Sequence, residues 1–159
     1  MCEKIIFVQN STHGADHSGL QEIYPSVIIP QAVYQELKTS GDFDITKILT
    51  PDWTDIRPMT DQTLYQTLLA DLDAGEAEGI VLAKEISADV LLMDERKGRQ
   101  KAVALGLKVT GVAGVLLIAK GIDLIAEIKP LLEELEQKAG FWVGTAFKNY
   151  VLGLVNESH

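Results

Sequence analysis

The stretch Leu72–Leu107, LDAGEAEGIVLAKEISADVLLMDERKGRQKAVALGL, decides the fold that the sequence predicts. Apolar residues recur at helical spacing over 75–86, run continuously through 88–93, and return to helical spacing over 95–105. A continuous apolar run suits a strand that is covered on both faces, as in a parallel sheet. The stretch therefore predicts a helix, a buried strand and a second helix that ends before Gly106.

The rest of the chain continues this alternation of short apolar strands and helices. Further strands are predicted at 4–8, within 24–29 and at 107–110, with an extended segment between two helices over 40–62. Further helices are predicted over 31–38, 63–72, 112–120, 130–139 and 146–156, with a short helical turn at 124–128. This pattern predicts a single α/β domain over 1–159 with a mainly parallel sheet.

Composition and charge narrow the functional classes. The single cysteine, Cys2, permits no internal disulfide, which fits a reducing cytoplasm. No apolar run reaches the roughly 18 residues that a membrane span needs, so we expect a cytoplasmic protein. The net charge of −9 excludes nucleic-acid binding by the whole surface, because phosphate contacts depend on positive charge. Binding of a polyanion would need local basic residues or bound metal cations.

Two acids of the opening stretch stand where a carboxylate can have a function. Asp94 is the first polar residue after the apolar strand, and α/β proteins bind ligands at the carboxyl ends of their strands. Alternatively, Asp94 caps the helix that follows. Helical phase places Glu76 on the apolar face of its helix and Glu78 on the other side. A buried carboxylate is costly unless it is paired or liganded, although Glu76 could simply complement the helix dipole.

Glu36 and a basic cluster complete the set of candidates. Glu36 borders the apolar face of the predicted helix 31–38. Several carboxylates at strand and helix ends suit Mg²⁺ or Mn²⁺, which prefer oxygen ligands and assist phosphodiester displacement. Directly after Asp94, four of the chain's 14 basic residues fall within Arg96–Lys101. They could position phosphates, or they could form a solvated helix face.

The chain resembles the DUF3368 group of PIN-like proteins. The resemblance lies in GEAE, LLMDERKGR and GFW at their observed spacings, and extends to VIIPQAVYQEL and KPLLEELEQKAGFWVGTAFKNYVL. It implies a PIN-like fold, with a mainly parallel central sheet of four or five strands and helices on both faces. It also implies an acidic cleft that binds Mg²⁺ or Mn²⁺. By position, the metal-binding and catalytic acids are Glu36, Glu76 and Asp94.

The resemblance also implies a function. PIN proteins are typically single-strand ribonucleases, and many are toxins that a small antitoxin protein holds, often as homodimers. We therefore expect a metal-dependent ribonuclease that acts on single-stranded RNA and forms a homodimer, with a small antitoxin protein as a candidate partner. The residues expected to contact the nucleic acid are Asn10, Arg96 and Arg99.

The chain departs from the family pattern at two places. Asn10 stands where the pattern has an aspartate after the first strand, and Gly111-Val112 replaces the usual Gly-Thr. These departures favour an alternative, a catalytically weak or inactive PIN-like module that binds nucleic acid or a protein partner. A ligand-binding domain of the flavodoxin or receiver type is disfavoured, because the sequence has no Gly-rich phosphate loop and no adjacent acid pair after its first strand.

Overall fold

The central element of the molecule is a parallel β-sheet. The computed structural model describes residues 5–7, 20–40, 53–138 and 144–157. Its strands are β1 (Ile5–Phe7), β2 (Val27–Pro30), β3 (Thr54–Arg57), β4 (Val90–Leu92) and β5 (Val109–Thr110). They lie in the order β3-β2-β1-β4-β5, and every neighbouring pair is parallel. The predicted α/β class with a parallel sheet is confirmed.

Helices connect these strands and complete the C-terminal part of the chain. In the described ranges they are α1 (Leu20–Ile23), α2 (Gln31–Ser40), α3 (Gln62–Leu68), α4 (Ala74–Glu85), α5 (Arg96–Ala104), α6 (Val112–Gly121), α7 (Lys129–Lys138) and α8 (Thr145–Leu154). The predicted helical turn at 124–128 is wrong, because this segment is irregular and follows Asp123 at a φ of 59°. None of the described helices has both the length and the apolar character needed to cross a membrane.

Strand β3 lies within the segment that was predicted to be merely extended. Ile56 of β3 pairs with Ile29 of β2, so the segment adds an edge strand to the sheet. The outward-facing Asp55 and Arg57 form an ion pair at 2.7 Å. Charged side chains on an edge strand discourage pairing with another chain. The alternation of half-buried and exposed residues is only four residues long, which is why it was a weak sequence signal.

Helix α4 is the most deeply packed helix among the described residues. It contacts β1, β2 and β4 of the sheet and also helices α2, α3 and α5. Consequently every residue from 75 to 83 is buried, and Ile80, Val81 and Leu82 belong to the main hydrophobic core. The prediction that Glu78 lies on a solvated side of this helix is wrong. Neighbouring helices cover that side too, and Glu78 is only 7% exposed.

The strand order locates a crevice at one edge of the sheet. From the central strand β1, the chain passes to β2 and β3 on one side and then returns to β4 and β5 on the other. In such sheets the connections leave neighbouring strands in opposite directions at this switch point, and ligands bind outside the carboxyl ends of the strands. The carboxyl end of β4 leads directly to Asp94, and that of β2 leads into α2, which carries Glu36.

Candidate active site

The first turn of α4 holds Glu76 in a capping box. The Asp73 carboxylate accepts a hydrogen bond from the Glu76 N–H at 2.8 Å, and Glu76 Oε2 accepts one from the Asp73 N–H at 3.2 Å. This reciprocal arrangement satisfies two of the backbone N–H groups that every helix start leaves unpaired. One oxygen of Glu76 therefore serves the helix start, which is close to the alternative role foreseen for this residue.

The second oxygen of Glu76 is in a different situation. Oε1 is buried and has no hydrogen-bond partner in the described part of the molecule, and the residue as a whole is only 6% exposed. A buried carboxylate oxygen without a partner is unfavourable, because it has lost its hydration without compensation. Most buried polar atoms in proteins are paired, so an exception of this kind calls for a physical reason.

Glu36 lies beside the same helix turn. Its Oε1 is 3.1 Å from the position that a Cβ atom on Gly75 would occupy, so the absence of a side chain at Gly75 leaves room for this carboxylate. Although Glu36 is exposed as a whole, desolvation raises the pKa of its carboxyl group, and the charges of Asp73 and Glu78 raise it further. The structure thus brings Glu36 and the start of α4 together.

The acids around this turn disfavour one another's charge. Desolvation is the largest cause that raises the pKa of Glu76, and the charges of Asp73, Glu95 and Glu36 act in the same direction. The hydrogen bond from Asp73 lowers this pKa but does not reverse the shift. A group of carboxylates that raise one another's pKa attracts cations, and such groups are more common at functional sites than elsewhere.

Asp94 stands at the carboxyl end of β4, as its position in the sequence predicts. It does not cap α5, whose N-cap is Glu95. Instead, Asp94 Oδ1 accepts a hydrogen bond from the N–H of Val112, the first residue of α6, at 3.0 Å. The alternative cap prediction therefore had the wrong helix, because β5 runs alongside β4 and brings the start of α6 to Asp94.

Asp94 and Arg99 occupy the space above Gly111. A Cβ atom on Gly111 would lie 2.6 Å from Asp94 Oδ1 and 2.8 Å from Arg99 Nη1. Arg99 Nη1 also donates a hydrogen bond to the Met93 carbonyl oxygen at 3.1 Å. Desolvation raises the pKa of Asp94, whereas the Val112 N–H and the positive charge of Arg99 lower it, and the net shift is upward.

The remaining predicted contact residues differ in position. Arg96 is exposed at the first residue of α5, two residues after Asp94. Asn10 lies outside the described residues. Arg99, as described above, is directed towards the end of β4 and the carboxylate of Asp94.

The donor set was tested for its fit to a divalent cation. Within 5–7, 20–40, 53–138 and 144–157, no group of three or more acidic, histidine or cysteine side chains is arranged to hold a metal ion. The chemistry nevertheless fits Mg²⁺ or Mn²⁺, because Glu36 and Glu76 would supply oxygen ligands and Glu76 Oε1 is buried with no partner among the described residues. Asp94 differs from these two glutamates because it accepts a hydrogen bond from Val112 and feels the positive charge of the nearby Arg99.

Glu78 is a residue whose importance the helical phase concealed. Its Oε2 accepts a hydrogen bond from the Ala32 N–H at 2.9 Å, in the first turn of α2. Desolvation raises the pKa of Glu78, and hydrogen bonds from Ala32, Gln31 and Met59 partly oppose this shift. Glu78 thereby fixes the start of the helix that carries Glu36. The GEAE motif was a signal for it, since Glu78 follows Glu76 by two residues.

Fold and site together define an α/β protein with acidic side chains at the carboxyl ends of parallel strands. The family model DUF3368, described as a PIN domain, matches residues 16–157, and the chain therefore belongs to this family. The resemblance seen in the sequence is thus confirmed. Comparisons with curated proteins and with solved structures found no match.

Proposed function

We propose that this protein is a metal-dependent ribonuclease that hydrolyses single-stranded RNA with Mg²⁺ or Mn²⁺. The observation that carries the proposal is the buried Oε1 of Glu76, which lies near Glu36 and has no hydrogen-bond partner in the described part of the chain. Coordination of a cation would compensate for the lost hydration of this oxygen. Membership of a PIN-domain family supports a nuclease-like activity, and the parallel sheet supports a site at its carboxyl edge.

The proposed roles follow from the chemistry of each side chain. Glu36, Glu76 and Asp94 would hold the ion, which supplies a nucleophilic hydroxide and stabilises the oxygens of the phosphodiester. Arg96, exposed at the start of α5, would contact a phosphate, and Asn10 would assist at the first strand. Bound cations would also offset part of the net charge of −9, which otherwise repels RNA.

The finer parts of the proposal rest on the family alone. We propose that one domain over 1–159 acts in the cytoplasm, as a homodimer and as the toxin of a toxin–antitoxin pair. The test is co-expression with the product of a small neighbouring reading frame. Growth arrest on expression of this chain, relieved by the neighbouring gene product, would support the toxin role. Normal growth when this chain is expressed without that product would contradict the toxin role.

A second candidate function is a PIN-like module that binds RNA or protein without hydrolysis. It is favoured by Asn10 in place of an aspartate and by the engagement of Asp94 with Val112 and Arg99. A carboxylate that already has a backbone donor and a cationic neighbour is less available to a metal ion. Calorimetry with Mn²⁺ separates the two functions, since the absence of saturable binding at millimolar concentration favours the module.

The ribonuclease is tested by cleavage of a fluorescent single-stranded RNA with Mn²⁺. Cleavage is expected to stop with EDTA and to fall by roughly 100-fold or more in Asp94→Asn, since loss of a charged group at a reacting centre commonly has this effect. Asp123→Asn is the matched control, because it removes one negative charge at an exposed residue between α6 and α7. Robust cleavage by Asp94→Asn, or cleavage that persists in EDTA, would overturn the assignment.

A further inference from the structure

Arg99 belongs to the basic cluster that follows β4, and its side chain is directed back to the end of this strand. Its Nη1 donates to the Met93 carbonyl at the end of this strand. The same atom shares the space above Gly111 with Asp94 Oδ1, at 2.8 Å and 2.6 Å from the position that a Cβ atom would occupy. A side chain at residue 111 would displace one or both of these groups. Arg99 and Asp94 can therefore take these positions only because Gly111 has no side chain.

The approach of α5 to β4 explains how Arg99 reaches this position. A Cβ atom on Gly98 would lie 2.3 Å from Met93 Sδ, so a side chain at residue 98 would have to displace the Met93 side chain at the strand end. Gly98 is buried, and the next residue along the helix is Arg99. The Gly98 backbone thus lies close to Met93, and Gly111 leaves the space into which Arg99 and Asp94 both extend.

The surroundings of Arg99 differ from those expected of an arginine that binds a phosphate group. The guanidinium group of Arg99 already has a carbonyl acceptor and a neighbouring carboxylate, whereas Lys97 on the same helix is exposed. A positive charge close to a carboxylate opposes the approach of a second cation to that carboxylate. The charge of Arg99 should therefore weaken, rather than assist, cation binding at Asp94.

We propose that Arg99 is a positioning residue that acts as the internal counter-ion of Asp94 and competes with a divalent cation for this carboxylate. The proposal rests on the proposed metal-dependent function and refines it in two respects. It moves Arg99 from the phosphate contacts to the control of metal affinity. It also makes Asp94 the last of the three acids to bind the ion. Arg99 lies near Asp94, whereas no basic side chain among the described residues acts on Glu36 or Glu76.

The test is Mn²⁺ titration by calorimetry of the wild type and of Arg99→Gln, Arg99→Lys and Lys97→Gln. Arg99→Gln is expected to bind Mn²⁺ about tenfold more tightly, because a neighbouring positive charge is lost. Arg99→Lys keeps the charge and should resemble the wild type. Lys97→Gln also loses one positive charge, but from an exposed position, and should bind Mn²⁺ as tightly as the wild type does. Damage to the fold would weaken Mn²⁺ binding, so tighter binding by Arg99→Gln cannot result from such damage. Unchanged or weaker binding by this variant overturns the proposal.

A second measurement separates this proposal from the proposed function. Hydrogen exchange of the Val112 amide is followed by NMR in buffer without divalent cations. If Arg99 positions Asp94, this amide should exchange several-fold faster in Arg99→Gln and at the wild-type rate in Lys97→Gln. If neither the wild type nor Arg99→Gln binds Mn²⁺, the metal site and the competition both fail, and faster Val112 exchange would retain only the positioning role. Unchanged exchange would overturn that role too.

Discussion

Helix α4 carries three glutamates, and their carboxylates differ in whether backbone N–H groups of other elements donate to them. Farther along the helix, Glu85 Oε1 accepts hydrogen bonds from the Thr60 and Asp61 N–H groups at 2.7 and 2.6 Å, just before α3. Glu78 accepts from Ala32 at the start of α2. Glu76, in the first turn, satisfies one oxygen within its capping box, whereas its other oxygen is buried and finds no partner within the ranges that the structure describes.

The hydrogen-bond donors around these three glutamates distinguish a structural acid from a candidate catalytic acid. Glu78 and Glu85 accept hydrogen bonds from backbone donors of neighbouring elements, and these bonds tie the start of α2 and the residues before α3 to α4. Glu76 instead lies near other carboxylates, whose negative charges disfavour its ionised form; these belong to Asp73, Glu95 and Glu36. Burial alone does not distinguish the two cases, since Glu76 and Glu78 are almost equally buried. The distinction lies in whether donors face the oxygens.

The largest effect that would sharpen this comparison is expected at Glu76. Glu76→Gln should reduce RNA cleavage by roughly 100-fold or more, because the ligand loses its charge. Its unfolding free energy should not fall, since a glutamine oxygen can still accept from Asp73 and no buried charge remains. Cleavage assays and urea denaturation measure the two quantities. A marked loss of stability with intact cleavage would assign Glu76 to the structural group instead.

The next effect is expected at Glu78 and concerns stability. Glu78→Ala would leave the partly buried Ala32 N–H without its acceptor, at a cost of about 1 kcal/mol in unfolding free energy. Cleavage should fall less than in Glu76→Gln, because α2 would shift Glu36 without removing it. Urea denaturation gives the stability change, with Asp123→Asn as the control for loss of one negative charge. Wild-type stability would show that α2 does not depend on this bond.

The sequence predicted the elements around this comparison better than the contacts within it. Apolar periodicity over Leu72–Leu107 predicted α4, β4 and α5 to within two residues, because buried faces leave a regular pattern in the chain. Strand β3 was missed because its alternation is short.

The positions of the acids depended on contacts between distant residues, which periodicity does not encode. Helical phase placed Glu78 in solvent because it assumes one open side, and α4 has none through residue 83. The partner of Asp94 is Val112, 18 residues along the chain. Likewise, the close approaches at Gly98 and Gly111 arise only when β4, β5 and α5 are assembled. The candidate residues could therefore be named from the sequence, but their partners could not.

The smallest effect is a difference in pH dependence between the two ends of α4. Desolvation raises the pKa of Glu85, but hydrogen bonds from Thr60 and Asp61 lower it more, so the net shift is downward. Its contribution to stability is therefore present above the unfolded-state pKa and is lost as the pH falls through the folded-state pKa. Glu76 has the opposite shift, so its ionised form costs stability above its raised folded-state pKa, and this cost disappears below the unfolded-state value.

The measurement compares unfolding free energies of the wild type, Glu85→Gln and Glu76→Gln between about pH 3 and pH 7, which spans the ordinary glutamate pKa. The wild type should exceed Glu85→Gln in stability at neutral pH, and this margin should shrink on acidification. Glu76→Gln should equal or exceed the wild type at neutral pH, and its advantage should shrink on acidification. Acids shared by the three proteins cancel in these differences. Margins that change in the same direction would contradict the division of α4 into a structural end and a functional end.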